Sequence, residues 1–501
     1  MNRLPVWPLV IATAIASAAL TYSLAPRGTP SPVVGAPGSP AASQPAATPE
    51  PTLVTYVGEV ELSPSRGPAG TEVTITGTGL DANAELAVVW NTVRGKWVLK
   101  GEANEEFHGR EFTPVARELA TVRTDAQGSF SAQFVAPAGH GFTNDVTVER
   151  DGRLLNKAGF RLDPTVTVQP ESGPVGTPIT IHMEGIGWDN LENSWMVTYD
   201  NQFTGLLSSV TTGGIASAVI PATGAPGKHV IRVVHGSFTM PYLNMEQSPR
   251  PDRPTFTLPF TITEGPAVLP PEAGAQGLAP EAGAPASGSE TAIWTDPASA
   301  QVGTPLTISG RGFTAGAAVT LNWYTVIGNR VGGQGWDEAA EELAQVTVGQ
   351  DGAFQYELSV PDDLGGPHRI EASVGGTVVA QAQMTITPSA VSISPTSGPV
   401  GTVITIQLKG VGWTETANIY NLTYDNGYLG YACGFNTNGD VKIYLPAAGT
   451  PGWHFIDLYP GIYKGKDMPG VQNFRIPQLT YADDHPGERL PGFRFAFEVT
   501  R

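Results

Sequence analysis

The feature that most constrains this chain is a short segment that occurs twice, almost letter for letter. Residues 170–181 read PESGPVGTPITI, and residues 395–406 read PTSGPVGTVITI. Glycine tolerates a positive φ, and proline fixes φ without offering an N–H donor, so the segment begins as a sharp turn with Gly173 and Gly176 at positive φ. Its isoleucines then alternate with threonines, which is the period of a strand with one buried face. The sequence therefore predicts a turn followed by a strand at both places.

Weaker copies of this segment stand at residues 64–71 and 297–304, so the chain contains four related motifs. The two strong copies belong to a longer match. The offset of 225 positions between Trp188 and Trp413 also relates further pairs of identical residues, which are Asp200 and Asp425, Pro221 and Pro446, and His229 and His454. This match indicates duplication of a piece made of two units, each of about 100 residues, the size of a small β-sandwich.

The first unit of each half matches less evenly than the second. The offsets are 233 for Trp90 and Trp323, but 224 for Phe130 and Phe354. Nine residues are therefore present in the first copy only, and they fall between positions 95 and 125. We expect a longer excursion in the first copy. In the second copy the short acidic run 336–343 is interpreted as a loop or a single turn.

The composition favours an all-β fold. Sixty glycines and 44 prolines, with only 15% charged residues, are typical of many short strands joined by tight turns. Short strands at this spacing, without helical periodicity between them, predict antiparallel sheets packed face to face. We expect four tandem immunoglobulin-like β-sandwiches in two duplicated pairs, preceded by an apolar helix and a disordered stalk.

The expected boundaries follow from the repeats and from shifts in composition. They are a signal peptide or membrane anchor at 1–25, a Pro/Ala-rich disordered stalk at 26–55, domain A at 56–163, domain B at 164–263, a Pro/Ala/Gly-rich linker at 264–291, domain A′ at 292–387 and domain B′ at 388–501. The linker composition predicts that the two halves move relative to each other.

The N-terminus predicts a location outside the cytoplasm. Residues 4–26 carry no charge and are flanked by Arg3 and Arg27, and a helix of about 20 such residues would cross a hydrocarbon core. Small residues at 16–18 fit a signal cleavage site, whereas the full apolar length fits an uncleaved anchor. Both alternatives make the rest of the chain extracytoplasmic, either membrane-anchored or secreted, with membrane contact only through this segment.

The turn motif resembles the opening of an IPT/TIG domain, an immunoglobulin-like β-sandwich. The resemblance is carried by residues 394–406 with Gly410 and Gly412, and less fully by residues 63–75 with Gly77 and Gly79. It implies a surface-displayed or secreted bacterial module that acts as a binding domain or as a spacer and has no catalytic activity of its own. The family has no fixed catalytic residues, so any function would depend on variable loops.

The net charge and the cysteine count exclude several classes of function. A formal charge of −18 would repel phosphate backbones, so we expect no nucleic-acid partner. The single cysteine, Cys433, excludes an internal disulfide framework and a four-thiolate zinc site. Because free cysteine behaves as a small hydrophobic residue, we expect Cys433 in the core.

The chain lacks the local signatures of a hydrolase elbow, a zinc protease or a nucleotide loop. We therefore predict no enzyme activity and no cofactor. His229, His368 and His454 each follow a Gly/Pro turn and open a strand pattern, which indicates a structural role rather than metal binding.

The second unit of each half repeats Thr-Tyr-Asp-Asn, with Asp200 and Asp425 at the third position. Asp-Asn is an ordinary turn signal between strands. The alternative is a weak calcium site at Asp200 and Asp425, although the sequence displays few of the six to eight oxygen ligands that calcium takes.

Aromatic residues supply the binding candidates. Trp97 and Trp336 flank the excursions, while Tyr428 and Tyr431 stand in an aromatic stretch of the last unit. Exposed aromatic rings stack on sugars or on side chains of a protein partner. We predict adhesion, scaffolding or ligand capture, with a surface polysaccharide or another envelope protein as partner. The alternatives are an accessory or structural subunit of a membrane or extracellular assembly, and a carbohydrate-binding accessory region.

Overall fold

The strands begin where apolar and polar residues alternate and end at glycine-rich turns. The computed structural model describes residues 55–101, 104–189, 193–237, 240–247, 254–284, 290–329, 335–463 and 475–501. The predicted signal or anchor and nearly all of the stalk lie outside these residues. Within them, no helix is long and apolar enough to cross a membrane. The all-β prediction is confirmed, because only three short 3-10 turns interrupt the strands described: Met245–Gln247, Ala273–Ala275 and Phe435–Thr437.

The first half of the chain forms two sheet pairs. The first sheet pair contains β1 (Glu59–Ser63), β2 (Arg66–Gly67), β3 (Glu72–Thr78), β4 (Glu85–Lys100), β5 (Glu106–Arg123), β6 (Phe130–Val135), β7 (Phe142–Arg150) and β8 (Arg153–Leu162). The second sheet pair contains β9 (Thr165–Gln169), β10 (Ser172–Gly173), β11 (Pro178–Glu184), β12 (Trp195–Tyr199), β13 (Gln202–Leu207), β14 (Ala216–Pro221), β15 (Gly227–Ser237), β16 (Met240–Pro241) and β17 (Phe256–Ile262).

The second half repeats this arrangement. The third sheet pair contains β18 (Ala292–Asp296), β19 (Ser299–Ala300), β20 (Pro305–Arg311), β21 (Ala318–Asn329), β22 (Gly335–Thr347), β23 (Phe354–Ser359), β24 (Gly366–Val374) and β25 (Thr377–Ile386). The fourth sheet pair contains β26 (Ser389–Ser394), β27 (Ser397–Gly398), β28 (Val403–Lys409), β29 (Ile419–Tyr424), β30 (Gly427–Cys433), β31 (Val441–Pro446), β32 (Gly452–Gly461) and β33 (Phe493–Val499).

All four sheet pairs share one topology. A three-stranded sheet, such as β1-β3-β6, faces a larger sheet, such as β2-β8-β7-β4-β5. The two sheets of each pair enclose a common apolar core, which in the first pair includes Val73, Trp90 and Phe160. A two-residue strand carries the chain from the small sheet to the large one, where it pairs in parallel with the last strand. Paired sheets of this kind are consistent with immunoglobulin-like sandwiches.

The repeated turn has the same backbone in all four copies. Gly70, Gly176, Gly303 and Gly401 have φ between 82° and 89°. Gly173 differs from the prediction, because it lies in β10 and is not at positive φ. A Cβ there would lie 2.4 Å from Thr177 Oγ1, so close approach, rather than a left-handed backbone, explains this glycine.

The excursions of the first and third sheet pairs are long β-hairpins, which we call the first arm (β4 and β5) and the second arm (β21 and β22). The acidic run 336–343 is part of β22, so its interpretation as a loop or turn was wrong. Cross-strand pairing with β21 fixes it as a strand although its residues favour helix. The pairs Gly95–Phe112 and Gly328–Trp336 are equivalent, so the nine extra residues lengthen the end of the first arm.

A second difference between the halves occurs near the C-terminus. Gly227 pairs with Ile262, and Gly452 pairs with Val499, so the offset grows from 225 to 237 between these strands. The extra residues lie in the segment 462–492, which we call the C-terminal insertion. It has no counterpart of equal length in the first half.

The prediction that the linker lets the halves move is wrong for its described part. Val268 N–H donates to Val175 O at 2.8 Å, and Glu281 N–H donates to Ser299 O at 2.9 Å. The Gln276 side chain accepts from Arg494 N at 2.8 Å and donates to Arg494 O at 2.7 Å, as a neighbouring strand would. Composition suggested a flexible spacer, but these hydrogen bonds fix the segment along the sheet pairs on both sides.

Candidate functional site

The sheet pairs of each half meet through the same backbone contacts. Gly141 N–H donates to Ile186 O, and Gly365 N–H donates to Val411 O, at 3.0 and 3.1 Å. An aromatic pair from the arm and the following sheet pair lies beside each contact. The rings of Phe112 and Trp188 are 6.5 Å apart, and those of Trp336 and Trp413 are 4.4 Å apart. The structural counterpart of Trp336 is therefore Phe112, not Trp97.

The Asp-Asn repeats are two-residue hairpin turns. Asp200 and Asn201 have φ of 46° and 66°, and Asp425 and Asn426 have φ of 49° and 65°. Such values suit type I′ turns, which Asp and Asn tolerate.

The carboxylates of both turns are engaged by the protein. Asp200 accepts from His229 Nδ1 at 2.6 Å and from Val230 N at 2.9 Å. Asp425 accepts from His454 Nδ1 at 2.5 Å in the same way. No group of three or more potential metal-ligating side chains occurs in the described part of the chain. These contacts explain the repeated Asp-Asn pair as a structural part of the hairpin turn. Calcium binding by the two aspartates stays an untested alternative.

The histidines have the structural role that the sequence predicted. His229 and His454 stack on Tyr199 and Tyr424, with ring centroids 5.6 Å apart in both copies. His368 is buried, and its two ring nitrogens lie 2.9 and 2.7 Å from the carbonyl oxygens of Tyr324 and Leu364.

A groove of about 700 Å³ lies beside Trp336, and we call it the Trp336 groove. It opens where β21 leaves β24: the two strands pair as far as Trp323 and Ile370, after which β21 continues with β22 in the second arm. Its lining includes Trp336, Trp413, Tyr324, Arg369, Gln381 and Gln383, with Glu105 contributed by the first arm.

An ion network holds one wall of the Trp336 groove. The Arg369 guanidinium lies 3.9 Å from the centroid of the Tyr324 ring and contacts Glu338 at 2.5 Å and Glu371 at 3.0 Å. Tyr324 donates its hydroxyl to Glu371 at 2.5 Å, and this hydrogen bond raises the pKa of Tyr324. The aromatic face and the guanidinium are therefore held in fixed orientations.

Two buried N–H groups of the groove residues have no acceptor among the described residues: Trp413 Nε1 and Arg369 Nε. The Trp413 side chain is only 3% exposed. A Cβ on Gly366 would lie 3.3 Å from Trp413 Nε1 and 3.6 Å from Glu488 Oε1, so both atoms lie beside Gly366. Burial raises the pKa of Glu488 to about 7.

The other candidate residues have different positions. Trp97 is partly buried and donates to Asp484 Oδ1 at 3.1 Å. Tyr428 donates to Arg475 O at 2.6 Å, and its ring packs edge-on against Phe203. Tyr431 is 44% exposed, next to Tyr463. Thus Trp336 borders the groove and Tyr431 lies on the surface, whereas Trp97 and Tyr428 form contacts between the two halves. Binding by these four residues stays a prediction.

Cys433 is exposed on the edge strand β30, so its predicted core position was wrong. Alternation along β30 points Tyr431 and Cys433 outward together.

Sequence reasoning missed most of the groove. In the sequence, Trp413 stands out only as the repeat of Trp188, which indicated the duplication. Glu488 and Glu105 belong to the C-terminal insertion and to the extended first arm, where no repeat exists for comparison. No sequence signal brings Glu105, Glu488 and Trp413 together, because they come from three distant segments.

No protein-family model matches the chain, and no curated protein matches its sequence. Solved structures are similar only at low identity. A Salmonella alpha-2-macroglobulin is 12% identical with a TM-score of 0.17, and the match covers 87% of this chain and 30% of that one. Invasin, a bacterial integrin-binding protein, is 12% identical with a TM-score of 0.19, covering 84% and 79%. The adhesin InvE of Yersinia pseudotuberculosis is 11% identical with a TM-score of 0.17, covering 56% and 97%.

The chain thus spans less than a third of the length of the Salmonella protein. TM-scores this low do not establish a shared overall arrangement, so the description of the fold rests on the strands of this chain.

Proposed function

We propose that this chain is a non-catalytic protein of the cell surface or the secreted fraction, and that its folded part is a rigid scaffold that binds an extracytoplasmic partner. In this proposal each sheet pair is one immunoglobulin-like domain of the IPT/TIG type, at 56–163, 164–263, 292–387 and 388–501. The recurring turn motif and the shared strand order of the four sheet pairs support this division.

The observation that carries the scaffold role is the contact of the first arm with the last sheet pair and with its C-terminal insertion. Phe107 N–H donates to Glu415 Oε2 at 2.7 Å, and Trp97 donates to Asp484. The insertion also pairs with the edge strand β13, where Leu206 N–H donates to Pro477 O at 2.8 Å and Leu206 O accepts from Leu479 N–H at 2.9 Å. These contacts tie the last sheet pair to both sheet pairs of the first half. A rigid body of this kind presents its binding surfaces in fixed positions.

The apolar residues 4–26 support an extracytoplasmic location, by secretion or by anchoring, with 26–55 as the stalk. The partner is a surface polysaccharide or another envelope protein. The acidic net charge disfavours nucleic acid.

Cell fractionation with mass spectrometry of the mature N-terminus tests the location. We expect the protein outside the cytoplasm, accessible to added protease on intact cells, with its partner recovered after mild cross-linking. Recovery of the full chain in the cytosolic fraction, inaccessible to protease on intact cells, would contradict the proposal.

A second candidate function is an accessory or structural subunit of an envelope assembly. The exposed side chains of Leu429 and Tyr431 on the edge strand β30 favour it, since Leu429 is 63% exposed. Leu429 also lines an apolar groove of about 580 Å³ with Phe203 and Tyr428. Co-purification with envelope proteins that L429S abolishes and that added sugars leave unchanged would support this candidate.

A further inference from the structure

We propose that the Trp336 groove binds a neutral, hydroxyl-rich glycan, with a sugar ring against the Trp336 indole and a hydroxyl group between Trp413 Nε1 and the Glu488 carboxyl group. This inference rests on the proposed function, because it names the chemical class of the partner and the site that takes it.

The first step is the unused donor of Trp413. The indole is buried, and its N–H has no acceptor in the described part of the chain. A buried N–H without a partner costs about 1 to 3 kcal/mol, so native proteins rarely keep one without a water molecule or ligand. Trp413 also lines the groove, so a molecule bound there lies next to the indole that carries this buried donor.

The second step is the pairing of this donor with an acceptor. Glu488 makes no hydrogen bond to any described residue, and its Oε1 lies beside Gly366, as Trp413 Nε1 does. A hydroxyl group both donates and accepts, so it satisfies an N–H and a carboxyl oxygen together. Gly366, at φ 104°, leaves the space beside it open because it has no side chain.

The third step is the shape and charge of the walls. Trp336 is partly exposed and offers an aromatic face to the apolar side of a sugar ring. Gln381 and Gln383 add amide donors and acceptors on the same groove. The carboxylates of Glu105 and Glu338 outnumber the Arg369 guanidinium in the lining, so the charge of the groove is unfavourable for an acidic polymer. The combination fits a neutral glycan.

An array of neutral oligosaccharides, probed with the purified folded region, tests the proposal. Glycans retained on the array are then titrated in solution by calorimetry and by nuclear magnetic resonance of the ¹⁵N-labelled indoles. We expect at least one neutral oligosaccharide to bind and to shift the Trp413 indole resonance. W413F and W336A should weaken that binding about tenfold or more. The matched control W188F, at the equivalent position of the first half, should leave it unchanged.

W413F keeps an aromatic ring in the core and removes only the donor, so a fold check by thermal unfolding makes its result decisive. The proposal is overturned if no neutral glycan is retained, or if W413F and W336A bind as the parent does. A peptide that binds the groove and shifts the Trp413 resonance where glycans do not would also overturn it. If the protein is exposed on the cell surface but binds no glycan, only this inference is contradicted. If the protein binds a glycan but is found in the cytosol, only the proposed location is contradicted.

Discussion

The indole N–H of Trp97 donates a hydrogen bond to Oδ1 of Asp484 at 3.1 Å and so joins the two places where the duplicated halves differ. Trp97 lies in the nine-residue extension of the first arm, and Asp484 lies in the C-terminal insertion. Each extension alone would project from its sheet pair. In contact, they connect the first sheet pair to the last.

Asp484 should be the most sensitive residue of this contact. Its carboxylate is 1% exposed and accepts from Val210 N, Thr211 N and Thr211 Oγ1, each at 2.8 Å, besides Trp97. The substitution D484N removes the negative charge and places an amide NH₂ group, a donor, against N–H and O–H groups that are also donors. We therefore expect the free energy of unfolding to fall by about 2 to 4 kcal/mol. Urea unfolding measures it. D483N, at the exposed neighbour, is the control, and equal midpoints for the two variants would refute the prediction.

The two Asp-Asn turns supply a matched pair of variants. Asn426 is fully buried and donates to Pro221 O at 2.8 Å and to Thr223 Oγ1 at 3.0 Å, across to the second sheet pair. Asn201 has almost the same φ but is exposed.

N426A and N201A incur the same penalty for alanine at positive φ. N426A also loses the two hydrogen bonds, so it should be less stable than N201A by about 2 kcal/mol. The difference between their unfolding midpoints is the measurement, and no difference would mean that Asn426 adds nothing to the contact between the halves.

His454 should make stability depend on pH. Burial lowers the pKa of His454, but Asp425, by hydrogen bond and charge, and Thr450 O outweigh it, so the pKa lies above its ordinary 6.5. A raised pKa in the folded state means that the stabilisation is fully present below pH 6.5 and is lost as pH rises through the folded value. H454N should remove this part of the pH dependence of urea unfolding between pH 5.5 and 8.5. A pH profile identical to that of the parent would contradict it.

Glu488 should act in the same direction by a different cause. Burial raises its pKa from 4.5 to about 7, so the folded state holds the proton more tightly. The resulting stabilisation is present below pH 4.5 and lost as pH rises to 7, and it amounts to about 3 kcal/mol. E488Q should therefore be more stable than the parent at pH 8 but not at pH 4. E498Q, which changes a solvent-exposed glutamate of β33, should show no such gain.

The local structure followed from local sequence. The repeated turns, their strands and the Asp-Asn hairpins depend on φ preferences and on alternating burial, which neighbouring residues dictate. The nine-residue excess was also correctly located, because a repeat reveals where one copy is longer. The prediction of a loop or single turn for residues 336–343 was wrong, because cross-strand pairing with β21 overrides the intrinsic helix preference of the acidic residues.

The sequence by itself determined the all-β fold, the duplication and the positive φ of the glycine that precedes threonine in the repeated turn, since residue types and their spacing along the chain are enough to infer each of them. Only the tertiary structure decided that the linker is held along the sheets, that Trp97 binds Asp484, and that Trp336 and Trp413 line one groove while Glu488 lies beside Gly366, near Trp413. Those contacts join segments up to several hundred residues apart, and their free energy comes from burial and hydrogen bonds that exist only after the sheet pairs have packed.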